Sequence, residues 1–435
     1  MKPRGLLVAV GVLAVLGGLT WWSNKRQASA AKSPDTSTKI LSIPSDQVQE
    51  IQLKNPDQML DVRLQNGKWR LTQPEPLPAD SDAVTTMVSS LSSLNADTVV
   101  ESKAADLTPY GLQNPKLDVQ ITKKDGKTDR LLVGDETPTG SGSYAKLAND
   151  PRVFTIASYV KSNFDKKPDD LRDKRLLTFD SDKLTRVELA ANNQDIEFGK
   201  NNQNEWQILK PRPYRADGSQ VDSLVSNLKD AKMDLSEDAK KAATQFAAGA
   251  KVATATVTDN SGNQTLEIRK DKDNNYYAKS SAVAGIYKIS SDTGKNFDKK
   301  TDDFRNKKLF EFGFSDPSKI ELKNATYTKN GDKWMSGSKT MDNNTVQNLI
   351  DKLRDLSATS FEEKGGGDPA FEATVTSNMG KRVEKVSVTK QGTKYFAKRE
   401  DEPSIYGLDG KAVEDLEKDA ADVKEAAPPP AAKKK

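Results

Sequence analysis

The sequence contains no cysteine and no histidine among its 435 residues. Without cysteine there are no disulfides, thiolate metal ligands or thiol nucleophiles. Without histidine there are no imidazole metal ligands, and no catalytic triad can use histidine as its base. Carboxylate chemistry and a hard-cation site stay open. We nevertheless predict that the protein is not an enzyme and has no catalytic residue, cofactor or metal ion.

An excess of charge of one sign is also missing. Lys and Arg total 67 and Asp and Glu total 63, which leaves a net charge of +4 with the two signs interspersed. Nucleic-acid binding requires basic residues concentrated in a patch or stripe. We therefore predict no nucleic-acid partner. The length exceeds what one core supports and indicates roughly two to four domains.

Long apolar runs are confined to the N-terminus. Residues 6–22 form an uncharged apolar run that ends in two tryptophans, where an interfacial aromatic belt would lie. We favour an uncleaved transmembrane signal-anchor over residues 1–23, and a cleaved signal peptide is the alternative. Residues 24–40 are rich in Ala, Ser, Thr and Lys, which predicts a flexible tether.

One thirty-residue pattern occurs three times in the sequence. Residues 144–173, 277–306 and 396–425 align without a gap. A repeat of this length predicts three tandem domains. Their predicted bounds are 41–180, 181–316 and 317–425, followed by a disordered Pro- and Lys-rich tail over 426–435.

Each copy contains one amphipathic helix and several alternating strands. The helical stripe begins at Val84, Val221 and Val346 and continues at positions three, four and seven residues later. One alternating strand aligns Leu117, Val119 and Ile121 with Val252, Thr254 and Thr256, and with Phe371, Ala373 and Val375. The predicted fold class is α+β: an N-terminal transmembrane helix followed by three tandem repeats of mostly antiparallel sheet packed with helices.

Three tryptophans recur at one strand position and are candidate structural residues: Trp69, Trp206 and Trp334. A tryptophan at the same place in every copy is a shared core residue, the interpretation we favour, or a platform for stacking sugar rings. The second interpretation requires exposed rings.

Apolar residues also recur around the charged turn at the end of the first two copies. Phe164 and Leu171 in the first copy correspond to Phe297 and Phe304 in the second. Because their surroundings are highly charged, we expect these candidate interface residues to seal the final helix against its own sheet. We also expect them to brace the following repeat.

Several motifs in the first copy resemble domain-of-unknown-function family 4340. They are Tyr110-Gly111-Leu112-x-Asn114-Pro115, Leu132-Val133-Gly134, Tyr144-Ala145 and the segment over residues 171–177. The second copy keeps Tyr277-Ala278 and residues 304–309, and the third copy is fainter. The resemblance implies a membrane-anchored bacterial envelope protein, of a kind often encoded beside gliding-motility-type ABC transporter components. The family has no established activity, so no site residues are carried over.

These observations favour a membrane-anchored envelope protein that acts as a non-enzymatic scaffold or accessory subunit, with an ABC-type transport system as the expected setting. The alternative is a binding module for an envelope polymer such as glycan. The expected location is the bacterial inner membrane, with a single N-terminal span and the bulk of the chain on the periplasmic side. The expected partners are the membrane, ABC transporter subunits and other envelope proteins.

Overall fold

The computed structural model describes residues 38–313 and 317–427. The chain divides into two compact units, Met1–Lys174 and Arg175–Lys435. The described residues form three large antiparallel sheets and one small sheet. We name the residues around the three large sheets the first repeat (38–174), the second repeat (175–308) and the third repeat (309–427), because Leu176 and Leu309 lie in the cores of the second and third sheets.

The first repeat consists of a large and a small sheet with helices. Its strands are β1 (Thr38–Leu41), β2 (Val48–Lys54), β3 (Met59–Gln65), β4 (Lys68–Gln73), β5 (Leu77–Pro78), β6 (Leu94–Ala96), β7 (Thr98–Glu101), β8 (Leu117–Lys123), β9 (Thr128–Glu136), β10 (Gly142–Leu147) and β11 (Val153–Ala157). Its helices are α1 (Ser81–Ser92), α2 (Ser158–Phe164) and α3 (Pro168–Leu171), with 3-10 turns at Ser45–Gln47 and Thr108–Tyr110. Strands β1 and β6 pair, and the large sheet runs β5-β4-β3-β2-β8-β9-β10-β11-β7.

Among the described residues, the large sheet of the second repeat has the strand order of the first with one strand fewer. Its strands are β12 (Arg186–Ala191), β13 (Gln194–Lys200), β14 (Trp206–Lys210), β15 (Tyr214–Arg215), β16 (Ala250–Asp259), β17 (Gly262–Lys270), β18 (Tyr276–Ser280) and β19 (Ile286–Ile289). Its helices are α4 (Gly218–Lys229), α5 (Ala239–Ala248), α6 (Ser291–Lys295) and α7 (Thr301–Phe304), with a 3-10 turn at Ser181–Lys183. The sheet runs β15-β14-β13-β12-β16-β17-β18-β19.

The third repeat returns to the strand order of the first. Its strands are β20 (Lys319–Leu322), β21 (Ala325–Asn330), β22 (Lys333–Ser336), β23 (Lys339–Thr340), β24 (Ala358–Glu362), β25 (Asp368–Ser377), β26 (Arg382–Gln391), β27 (Lys394–Arg399) and β28 (Ile405–Leu408). Its helices are α8 (Asn343–Asp355) and α9 (Gly410–Ala421), with a 3-10 turn at Asn378–Gly380. The sheet runs β23-β22-β21-β20-β25-β26-β27-β28-β24.

An aspartate begins the long helix of every repeat. The side chains of Asp80, Asp217 and Asp342 accept hydrogen bonds from backbone N–H groups in the first turns of α1, α4 and α8. The predicted apolar stripe of each helix is buried, and it joins the core of its own sheet. The long helix of each repeat therefore covers much of one face of the large sheet.

The predicted fold class is wrong. Strand residues make up 44% and helical residues 24%, in four mostly antiparallel sheets, so the described chain is mainly β rather than α+β. The predicted transmembrane segment lies outside the described residues. Within the described ranges, no helix is long and apolar enough to cross a membrane. The excess of strand arises because each long helix covers a sheet of eight or nine strands.

The predicted alignment of one strand in the second repeat is wrong by one residue. Leu53 pairs with Val119 in the first repeat, and the equivalent Leu189 pairs with Ala255. Side chains alternate along a strand, so a shift of one residue exchanges the two faces. The core residues of β16 are Ala253, Ala255 and Val257, whereas the predicted Val252, Thr254 and Thr256 are only partly buried.

On the face opposite the long helix, one aromatic side chain recurs: Tyr144, Tyr277 and Phe396. The chain that follows the long helix covers this side chain differently in each repeat. Tyr110 packs edge-on against Tyr144 with ring centroids 5.1 Å apart, and Phe246 of α5 packs in a small cluster with Tyr277. In the third repeat Gly365 lies close enough that an added Cβ would be 3.0 Å from the Phe396 ring.

We predict that Gly134→Ala destabilises the first repeat. The Tyr110-Gly111 turn lies so close to β9 that an added Cβ at Gly134 would be 2.1 Å from the carbonyl oxygen of Tyr110. Backbone atoms cannot rotate away, so the expected cost is at least about 1–3 kcal/mol, as for overpacking. Denaturant unfolding measures it. The matched control is Gly366→Ala, where an added Cβ has no neighbour within 4 Å. Equal stability of both variants would contradict the close contact.

Candidate functional site at the boundary of the second and third repeats

Two of the three recurrent tryptophans lie in cores. Trp206 is 7% exposed and Trp334 is 3% exposed, whereas Trp69 is half-buried against the first core. The indole Nε1 of Trp206 donates a hydrogen bond to the Asp222 carboxylate in α4 at 2.7 Å. Trp206 and Trp334 therefore cannot form the exposed platform that sugar stacking requires.

The four candidate interface residues are all buried in the core of their own repeat: Phe164 and Leu171 in the first, Phe297 and Phe304 in the second. The Phe304 ring meets Phe198 edge-on, with centroids 4.9 Å apart. The backbone carbonyl of Phe304 accepts the N–H of Asp217, so the final turn returns to the cap of α4. The bracing of a following repeat by these residues stays a prediction.

Polar contacts cross the boundary between the second and third repeats. Arg215 at the end of β15 lies 3.3 Å from a Glu402 carboxylate oxygen in the third repeat. The same guanidinium lies 3.3 Å from Glu311 and donates to the carbonyl oxygen of Lys308 at 2.9 Å. Glu402 is also 3.3 Å from Arg399. Glu402 therefore joins one arginine from each repeat.

Arg399 is the most deeply buried arginine of this cluster. Its side chain is 3% exposed, and it lies 3.1 Å from Glu384 and 2.9 Å from Asp401. Burial lowers the pKa of Arg399, but the hydrogen bond to Asp401 and the charge of Glu384 outweigh burial and raise it above its ordinary value. Burial and the neighbouring Glu402 raise the pKa of Tyr406, whose hydroxyl donates to Glu402. The guanidinium stays charged and the phenol stays protonated.

Another arginine at the boundary, Arg305, is held between two aromatic rings. The guanidinium carbon of Arg305 lies 4.1 Å from the ring centre of Tyr214 in the second repeat. It lies 3.5 Å from the ring centre of Phe361 in the third repeat. One of its nitrogens donates to the Ser404 hydroxyl at 3.0 Å. These cation–π contacts pair a residue of each repeat with one arginine.

A fourth arginine, Arg382, lines a cleft at the same boundary. Arg382 donates to the carbonyl oxygen of Glu311 at 2.7 Å and pairs with the Glu205 carboxylate of the second repeat. Desolvation raises the pKa of Glu205, but hydrogen bonds from Asn201 and Arg382 outweigh it, so the net pKa is lowered. The cleft has a volume of about 420 Å³, and its charged lining residues are Glu205, Arg215, Asp222, Lys308, Glu311 and Arg382.

We name the buried contacts of Glu402 with Arg215 and Arg399 the ionic lock. Three cationic and three anionic side chains line the cleft, so no excess charge is left to attract an ionic substrate. In the part of the chain that the structure describes, no group of three or more acidic residues is placed to hold a metal ion. The arrangement is suited to holding two repeats in one relative position.

Two stretches of the chain match a known family. Residues 69–210 and residues 206–378 match the family described as Domain of unknown function (DUF4340). The chain belongs to this family. Both DUF4340 matches begin at a recurrent tryptophan, Trp69 or Trp206, and the second match contains Arg215, Arg305 and Glu311. No curated protein and no solved structure matches the chain.

The sequence reasoning missed the arginine cluster of this DUF4340 protein. The signal lies in comparing the copies strand by strand. Arg215 in β15 takes the place of Pro78 in β5, and Arg399 in β27 takes the place of Ser280 in β18. A charge that appears in only one copy marks a contact that the other copies do not share. The gap-free alignment of the copies already pairs Arg399 with Ser280, whereas the pairing of Arg215 with Pro78 is revealed by the strand registers.

We predict that Trp206→Ala costs more stability than Trp69→Ala. Trp206 is almost fully buried and its Nε1 is bonded to Asp222, so truncation should cost about 3–5 kcal/mol. Trp69 is half-buried and should cost less. Denaturant unfolding of both variants tests the order. An unchanged Trp206→Ala variant would show that the ring contributes nothing to the core.

We also predict that Glu402→Gln destabilises the second and third repeats together. The Glu402 side chain is 8% exposed, and removing its charge leaves Arg215 and Arg399 without a shared partner. Breaking a buried ion pair costs about 3–5 kcal/mol, and we expect less than that here because Arg215 keeps Glu311 and Arg399 keeps Glu384 and Asp401.

Hydrogen exchange, measured repeat by repeat, provides the readout. The control is Glu400→Gln, because the Glu400 side chain is 73% exposed and lies 3.9 Å from Lys385. An exposed pair contributes about 0–1 kcal/mol. If Glu402→Gln loosens only the third repeat, the lock does not couple the two repeats.

Proposed function

We propose that this DUF4340 protein is a non-enzymatic scaffold or accessory subunit of the bacterial envelope. The observation that carries the proposal is the ionic lock centred on Glu402, which joins Arg215 of the second repeat to Arg399 of the third. Two repeats held by buried charges move as one body, and a rigid body of this size offers its partners a fixed surface. Scaffolding requires such a surface and requires no chemistry.

The character of the lock supports the proposal. Apolar side chains fill the core of each repeat separately, whereas several contacts across the boundary depend on charge and on the direction of hydrogen bonds. Directional contacts specify one relative orientation more strictly than apolar contacts do. If both repeats contact the same partner, a fixed orientation keeps their two binding surfaces in register with it.

The proposed location is the periplasmic side of the bacterial inner membrane, and the proposed partners are subunits of an ABC-type transport system or other envelope proteins. Two basic residues followed by the apolar run over residues 6–22 support export of the repeats. The sequence motifs resemble those of envelope proteins that are often encoded beside ABC transporter components. This resemblance supports an ABC-type transport system as the partner. The absence of histidine and cysteine supports a role without catalysis.

Affinity capture from isolated envelopes tests this proposal. The full-length chain should retain transporter subunits or other envelope proteins after mild cross-linking, and Glu402→Gln should retain them less well because the two repeats no longer hold one orientation. Glu400→Gln is the matched control and should behave as the parent. Identical capture by both variants, or turnover of an envelope substrate by the purified chain, would refute a rigid non-enzymatic scaffold.

A further inference from the structure

A groove crosses the helical layer of the first repeat between α1 and α2. Its volume is about 530 Å³. The outward side of α1 forms one wall, and Leu94 and Asn95 after α1 form the floor. Tyr159, in the first turn of α2, stands on the opposite wall. The space is sufficient for a few sugar-sized groups lying along it.

Tyr159 is the most exposed aromatic residue among the large apolar side chains on the described surface. Its side chain is 69% exposed. Within the described chain, no hydrogen bond involves its hydroxyl and no ring packs against it. Exposed aromatic rings with a polar end suit ligands that have both an apolar face and hydroxyl groups. A hexopyranose ring has this character, since its axial C–H bonds form an apolar patch and its hydroxyls surround the edge.

The polar lining of the groove is almost uncharged. Ser89, Ser93 and Asn95 are exposed there, and no hydrogen bond to a described residue uses their side chains. Hydroxyl and amide groups both donate and accept, which matches the mixed donors and acceptors of a sugar. Asp97 is the one charged side chain among the described lining residues. Hydroxyls on a helix would by themselves mark only a solvated face. Here they line a groove with an open aromatic ring on its opposite wall.

The other repeats provide an internal comparison at the same place. The two helices are bridged by Asn163 and Ser90 in the first repeat, at 2.8 Å, and by Asn296 and Asn227 in the second, at 3.1 Å. In the third repeat Lys352 and Asp415 occupy these positions, 3.8 Å apart. Tyr159 lies four residues before Asn163. The residues four positions before Asn296 and Asp415 are Asp292 in the second repeat and Lys411 in the third. The aromatic ring belongs to the first repeat alone.

We propose that this groove binds an uncharged saccharide chain, with Tyr159 stacking on one sugar ring and Asn95, Ser89 and Ser93 hydrogen-bonding its hydroxyl or acetamido groups. The site is independent of the ionic lock and of the scaffold proposal. The proposed ligand is the glycan of the alternative function, but the binding surface is this groove and not the recurrent tryptophans. A scaffold that also holds a polymer would be fixed relative to that polymer as well as to its protein partners.

Calorimetric titration of the full-length chain tests the site with two uncharged probes, chitohexaose and cellohexaose. At least one probe should bind saturably, and Tyr159→Ala should weaken binding about tenfold, because the apolar face of the sugar loses the ring on which it stacks. Tyr159→Phe should keep most of the affinity, since it keeps the ring. The matched control is Asp292→Ala, at the equivalent place in the second repeat, which should bind as the parent.

The side chain of Tyr159 is largely exposed, so its variants should fold normally, and thermal melting verifies this. The proposal is overturned if neither probe binds the parent chain. It is also overturned if Tyr159→Ala binds as tightly as the parent, or if Asp292→Ala weakens binding to the same extent.

Discussion

Burial of one sheet face beneath one amphipathic helix is the constraint on which each repeat depends. A sheet of eight or nine strands with an apolar face is stable only if that face is covered, and in each repeat the long helix supplies much of the cover. The cap aspartates Asp80, Asp217 and Asp342 start the three helices at equivalent places. The final segment then returns to that cap in the first two repeats, where the carbonyls of Leu171 and Phe304 accept the N–H groups of Asp80 and Asp217. The helix position therefore determines where each repeat closes.

In the second and third repeats, apolar side chains form the cores and charged side chains form contacts across the boundary. Apolar residues make a separate core in each of these two repeats, which stabilises each repeat by itself. Arg215, Arg305 and Arg382 act at the boundary, where each contacts carboxylates, aromatic rings or carbonyls of the neighbouring repeat. A buried charge without a partner is costly, so these contacts penalise any relative position in which the pairs separate. This physical reason makes a semi-rigid pair of repeats the basis of the proposed scaffold.

Features that distinguish one copy from another lie on the common frame at equivalent positions. The aromatic residue on the open face is covered by Tyr110, by α5 or by Gly365, depending on the repeat. The rim of the helical groove carries Tyr159, Asp292 or Lys411. A repeated fold leaves such surface positions free to vary, since the core does not depend on them. Differences between copies are therefore better guides to function than the residues that the copies share.

The sequence by itself determined the repetition, the long helices and the alternation of the strands, because periodic apolar patterns are local, and its short motifs indicated the family. It did not determine the register of β16, whose inward residues are Ala253, Ala255 and Val257. In the sequence VATATV over residues 252–257, either set of alternate side chains could face the core. Only the pairing of β16 with β12 decides which set does. The arginine lock and the groove at Tyr159 were decided by tertiary structure alone. Arg215 and Glu402 are 187 residues apart, and no local pattern relates two side chains that meet only after both sheets have formed.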